Sequence, residues 1–222
     1  MPAGLIIYGD GGQMQIDGST PMVTLRRSGV VATSAVSGVP SMYTGALSVN
    51  GDEFVAFRPQ GFNWGTMWGN GNGQALFAST GGPVAFDYWV FGPHQDSGIN
   101  YGLRVWNESG GLIYDTGRPM CNVLGSHDGT GGPTFWGNSS VAVVPKNIHC
   151  FFEIGVPPNY VASWQRQTMG GVQISGNQIT TSNRVMAANG PTESPIGKTT
   201  PDSSWTNNQD NSFMVVGLDN LF

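Results

Sequence analysis

The sequence predicts an all-β fold of antiparallel, sandwich-like sheets, and three observations predict it. Glycine supplies 34 and proline 14 of the 222 residues with no triplet period, so the chain turns often and is not collagen-like. Apolar residues fall in short runs with period-two alternation, bounded by Gly, Pro or Asn, and no long helical pattern interrupts them. A hairpin-like segment also recurs along the chain.

That repeat sets the organisation. Gly4 to Asp17 aligns without gaps on Gly102 to Asp115, and the same offset carries Pro21 onto Pro119 and Met22 onto Met120, with six of nineteen positions identical. Each copy reads as an aliphatic and aromatic strand, a tight connection containing Gly and an acidic residue, and a second strand. Leu103 and Val105 alternate with Arg104 and Trp106, the period expected of a half-buried strand. The repeat implies two related halves, residues 1–97 and 98–222, joined through Gly92 to Gly98.

Further strands are expected over 30–36, 46–49, 53–57, 75–78 and 84–91 in the first half. The second half offers 141–144, 150–156, 161–165, 171–175 and 213–218. Residues 188–211, with Pro191, Pro195 and Pro201 among Ser, Thr and Asn, read as one long loop.

Composition narrows the function classes. A hydrophobic fraction of 39% with 11% aromatic suffices for a buried core, which excludes wholesale disorder. Only 10% of residues are charged, so much of the surface is neutral and little repulsion opposes self-association. With net charge −5 and only Lys146 and Lys198 as lysines, the footprint of nucleic-acid binding is missing. The segment Met1 to Tyr8 lacks the features of a secretion signal and nothing later approaches a membrane span, so folding in a cytosol is expected. In that compartment Cys121 and Cys150 are expected as free thiols rather than a disulfide.

The second hairpin carries a resemblance. Tyr101 to Asp115 has the form Y-G-L-x-V-[YFW]-x-x-x-G-x-[LV]-x-[FY]-D, and it resembles a stretch in structural proteins of tailed-phage tails, particularly tail-tip and fibre-associated proteins. Phe86 to Phe91 is similar to the aromatic strand that precedes it there. The resemblance implies a non-catalytic virion subunit of a tail tip, baseplate or fibre attachment, folded in host cytoplasm and assembled with other tail proteins and copies of itself. Two other readings fit the same neutral, Gly-rich chain: a module binding a receptor or glycan of the host surface, and a capsid decoration protein.

Motifs of chemistry are absent from the sequence. His94, His127 and His149 make no metal-ligand spacing, and His94-Gln95-Asp96 and His127-Asp128 read as surface loops. Gly69 to Gly73 precedes no Lys-Ser or Lys-Thr and so reads as a turn rather than a phosphate cradle. No nucleophile elbow occurs, and no carboxylate pair distinguishes itself for glycan cleavage; Asp115 reads as a strand-end or turn hydrogen-bond acceptor. No catalytic residue, metal or cofactor is therefore expected. The candidate contacts to a glycan or a neighbouring subunit are Trp64, Trp68, Trp136 and Asn138, from two aromatic, Gly-containing segments. Packing across the sandwich is the competing role for these tryptophans.

Overall fold

The computed structural model describes the chain apart from residues 1–3, 10–11, 18–21, 38–41, 62, 69–72, 149, 156–161, 194–202, 207–210, 220 and 222. For strand residues 4–9, 12–17, 68, 150–155, 162–168, 184–193 and 203–206 it describes the backbone alone.

Strands run in the order β1 (Gly4–Gly9), β2 (Gly12–Asp17), β3 (Val23–Ala32), β4 (Ser34–Ala35), β5 (Met42–Ser48), β6 (Phe54–Pro59), β7 (Gly65–Trp68), β8 (Gln74–Thr80) and β9 (Ala85–Pro93). They continue with β10 (Arg104–Trp106), β11 (Leu112–Asp115), β12 (Asn122–Asp128), β13 (Gly131–Phe135), β14 (Val141–Asn147) and β15 (Cys150–Gly155). The last four are β16 (Ala162–Ser175), β17 (Gln178–Glu193), β18 (Ser203–Thr206) and β19 (Ser212–Gly217). No α-helix occurs among the described residues.

Two large antiparallel sheets make the sandwich. A six-stranded sheet has the order β12-β19-β14-β6-β9-β3, and a nine-stranded sheet runs β13-β17-β16-β7-β8-β5-β4, with β15 and β18 added at β16. Each sheet takes strands from both sides of residue 97, so the two sequence halves interleave and share one core. Inner-face residues of the six-stranded sheet, Phe57, Phe86, Val143 and Phe213, pack in one cluster with Phe77, Val172 and Ile179 of the other sheet. Phe57, Phe77 and Phe86 form its aromatic centre, with ring centroids 5.3 to 6.1 Å apart. Gly65 of β7 makes room for it, because a β-carbon there would collide with the Phe86 ring.

The six-stranded sheet is apolar on both faces. Alternation sends Phe57, Phe86 and Val143 inward, and Ala56, Trp89, Ala142 and Val216 into a second cluster on the opposite face, closed by Leu218 and Leu221. This explains continuous apolar runs such as Tyr88-Trp89-Val90-Phe91.

Both copies of the repeat form two-stranded antiparallel hairpins outside the large sheets, β1–β2 and β10–β11. Their registers differ. β1–β2 pairs Ile7 with Met14 and closes at Gly9 opposite Gly12, whereas β10–β11 pairs Val105 with Tyr114 and carries a bulge between Val105 and Trp106. The second copy thus has a longer connection and a slid second strand.

Residues 188–211, expected as a loop, differ from that reading. β17 continues to Glu193 and β18 covers Ser203–Thr206, so strand pairing reaches into both ends of this stretch. Pro191 falls in an irregularity between the pairs Ser163–Thr192 and Gln165–Asn189, where its missing N–H removes no regular ladder bond.

Candidate functional site

The second hairpin combines buried polar groups that anchor it with exposed large apolar side chains. Its turn is tied locally: Asn107 N–H donates to Gly111 O at 2.8 Å, and the Asn107 Oδ1 accepts from Gly111 N at 2.6 Å. Gly110 supplies the left-handed residue at φ +81°, a conformation other residues adopt only with strain.

Docking onto the sandwich runs along the start of β3. Met22 N–H donates to Ile113 O at 3.2 Å, Leu25 N–H to Pro119 O at 2.8 Å and Cys121 N–H to Val23 O at 3.0 Å. Ile113 and Tyr114 are buried there with Met22, Val105 and Met120 packed around them.

Asp115 is the centre of the anchor. Its fully buried carboxylate accepts Ser97 N–H at 3.0 Å on Oδ2 and Gly117 N–H at 2.7 Å on Oδ1. His94 Nε2 lies 3.3 Å from Oδ2, a close contact whose angle is poor for a hydrogen bond. Burial pushes the Asp115 pKa up, but the donors from Ser97 and Gly117 and the His94 imidazole more than reverse it, holding the group below the usual carboxylate range. Burial lowers the His94 pKa; Asp115 opposes this, while Arg118 and Arg26 add to it. Arginines brace the rim: Arg104 Nη2 donates to Asp96 Oδ1 at 2.8 Å and Ile99 O at 2.6 Å, and Arg118 Nε to Gln95 O at 2.9 Å.

In and just before the hairpin, Tyr101 is 79% exposed and Trp106 49%, with Leu103 also exposed. The edge strands β12 and β13 add two more large apolar groups, Val123 and Phe135, the latter 68% exposed.

Asp115 serves the turn hydrogen bond read from sequence. His94 and His127 do not serve as surface-loop residues, however. Both are buried, since His94 follows β9 beneath the hairpin, and His127 lies within β12 with Nε2 3.1 Å from Thr181 Oγ1. His149 lies outside the described residues. Of the candidate contacts, Trp136 is half-buried, packs against the main core and covers Gly125. Asn138 lies directly over Gly217 of β19. Trp64 is half-buried just before β7; Trp68 lies on β7, paired with Leu76, and its side chain is outside the description. Cys121 is a half-buried free thiol, and the Cys150 side chain is likewise outside the description.

Among the described residues no group of three or more His, Cys, Asp or Glu side chains is arranged to hold a metal, and no helix is long and apolar enough to cross a membrane. Comparison of the chain with protein-family models, curated proteins and solved structures gives no match.

Proposed function

We propose that the chain is a non-catalytic structural subunit of a tailed-phage tail tip, baseplate or fibre attachment, acting through protein contacts. The observation that carries the reading is the second hairpin. The segment resembling tail proteins is the one that Asp115 locks in place and that exposes Tyr101, Leu103 and Trp106. Exposed aromatics on a rigid support suit a subunit interface, where large aromatic groups contribute most of the binding energy. β12 and β13, which end their sheets among the described residues and expose Val123 and Phe135, offer a second contact surface by strand addition. On this reading the partners are other tail proteins and further copies of the chain, and the subunit folds in host cytoplasm before assembly.

Immunogold electron microscopy of intact virions, with antibody against this chain, tests the proposal. Label at the distal end of the tail is the expected result. Label over the head would replace the reading with capsid decoration, and unlabelled virions would end it.

A further inference from the structure

We infer that the outer face of the six-stranded sheet carries a binding site for a neutral saccharide, separate from the hairpin and independent of the assembly role. The site is a cleft of about 450 Å³ at one end of β3, β9 and β6, within the size range that holds small ligands. Strand register brings it together. Ser28 pairs with Trp89 and Val30 with Asp87 across β3 and β9, while Arg58 pairs with Asp87 across β6 and β9. Ser140, leading into β14, and Asp219, in the turn after β19, complete the wall.

The polar groups are held before any ligand arrives. Arg58 donates to Asp87 Oδ2 from Nε at 3.2 Å and Nη2 at 2.7 Å, and from Nη1 to Ser140 Oγ at 2.6 Å. Its guanidinium lies over the Trp89 ring, 5.4 Å from the centroid. Gln60 Nε2 donates to Asp87 Oδ1 at 2.7 Å. Asp219 Oδ1 accepts Ser139 O–H at 2.6 Å and Ser140 N–H at 3.1 Å, and Oδ2 accepts Ser139 N–H at 2.9 Å. Such preorganisation lowers the ordering cost of binding.

Counting acceptors identifies the ligand chemistry. A carboxylate offers about four acceptor positions, two on each oxygen. Among the described residues Asp87 Oδ1 and Asp219 Oδ2 each receive a single donor, which leaves each an acceptor position for a ligand. Two spare carboxylate acceptors in one cleft call for a ligand rich in O–H donors. Two carboxylates against one guanidinium leave the lining net negative, which disfavours phosphate, sulfate and acidic sugars. The Arg58 guanidinium, paired with Asp87 and bonded to Ser140, disfavours a bare cation. Val30, 60% exposed, and Leu218 supply apolar wall, while Trp89 lies beneath Arg58 at the base of the cleft, only 4% exposed. A neutral hexose, with hydroxyl groups on an apolar ring, meets all these conditions.

The test titrates the full chain, isotope-labelled, with the methyl glycosides of glucose, galactose and mannose, and in parallel with N-acetylneuraminic acid, following the Trp89 indole resonance. At least one neutral glycoside is expected to shift it saturably, with a Kd of about millimolar for a single hexose. Ser28→Trp fills the cleft from its exposed rim while leaving Arg58, Asp87 and Asp219 themselves unaltered, and is expected to weaken that binding at least tenfold. Asp219→Asn is expected to weaken it several-fold. Absence of a saturable shift with all three neutral glycosides, binding unaffected by Ser28→Trp, or tighter binding of N-acetylneuraminic acid would each overturn the inference.

Discussion

Replacing Asp115 with alanine should release the second hairpin from the sandwich. The substitution removes the acceptor for two backbone amides, Ser97 N–H at 3.0 Å and Gly117 N–H at 2.7 Å, and the anion beside His94. A buried donor left without a partner costs about 1–3 kcal/mol. Ser97 is half-buried and Gly117 exposed, so water reaches part of the vacated space and the lower half of that range, about 1–2 kcal/mol, applies to each. The sum is about 2–4 kcal/mol. Hydrogen exchange in native buffer reads this directly, because it reports local opening as well as global unfolding. Amides docking the hairpin, including Leu25 and Cys121, should exchange about 30- to 700-fold faster, as each 1.4 kcal/mol corresponds to a factor of ten. Asp115→Asn, which keeps one acceptor oxygen, should fall between wild type and alanine. Exchange within threefold of wild type at Leu25 and Cys121 in Asp115→Ala would refute the assignment of this carboxylate as the anchor.

Other perturbations have equally definite outcomes. Phe86→Ala, at a fully buried ring packed on Phe57 and Phe77, should cost about 3–5 kcal/mol in urea unfolding. Gly65→Ala forces a methyl into the same ring at about 1–3 kcal/mol, and Phe86→Leu in the same chain should recover part of it, a coupling that a double-mutant cycle measures. Stability should fall on acidification. His94 and His127 have folded pKa values depressed below the ordinary 6.5, chiefly by burial, so the unfolded chain takes up their protons first. Their contribution is complete above about pH 6.5 and declines as pH drops through the folded values, so thermal midpoints between pH 7.5 and 5 should fall less in His94→Gln/His127→Gln than in wild type. Burial pushes the Cys121 thiol up to about 12. At pH 8 only about one molecule in ten thousand then carries the thiolate, and mass spectrometry should find the Cys121 peptide alkylated by iodoacetamide only after unfolding.

Fold class was legible because Gly and Pro punctuate short alternating runs, and alternation depends only on which side chains face inward. Strand partners were not legible. A period of two assigns a face, yet says nothing about whether β19 pairs with a strand near it in sequence or far from it. The hairpins could be read because their pairing is local, although the slid register of β10–β11 depends on a bulge that no single residue announces. Asn122–Asp128 and Gly131–Phe135 were missed as strands because Gly, Ser, His and Asp dilute their apolar content, and what holds them is pairing with β19 and β17. The burial of His94 had no local signal, since it results from a hairpin contributed by residues further along the chain. Nor did the outer-face cleft, whose Arg58, Asp87 and Asp219 meet only once β6, β9 and the turn after β19 are side by side.

The place of β19 bears on biosynthesis. It lies between β12 and β14, bonded to both, although it is the last strand described. While residues 212–217 are still inside the ribosome, β12 and β14 have emerged with their shared neighbour missing, and β14 lacks both its ladder bonds and the lateral contacts of Phe213 and Val215. Pairings this distant in sequence form slowly, since loop closure precedes any gain from contact. Nascent chains stalled short of residue 212 should therefore recruit holdase chaperones, and the sandwich should close in a single late event after translation has passed β19.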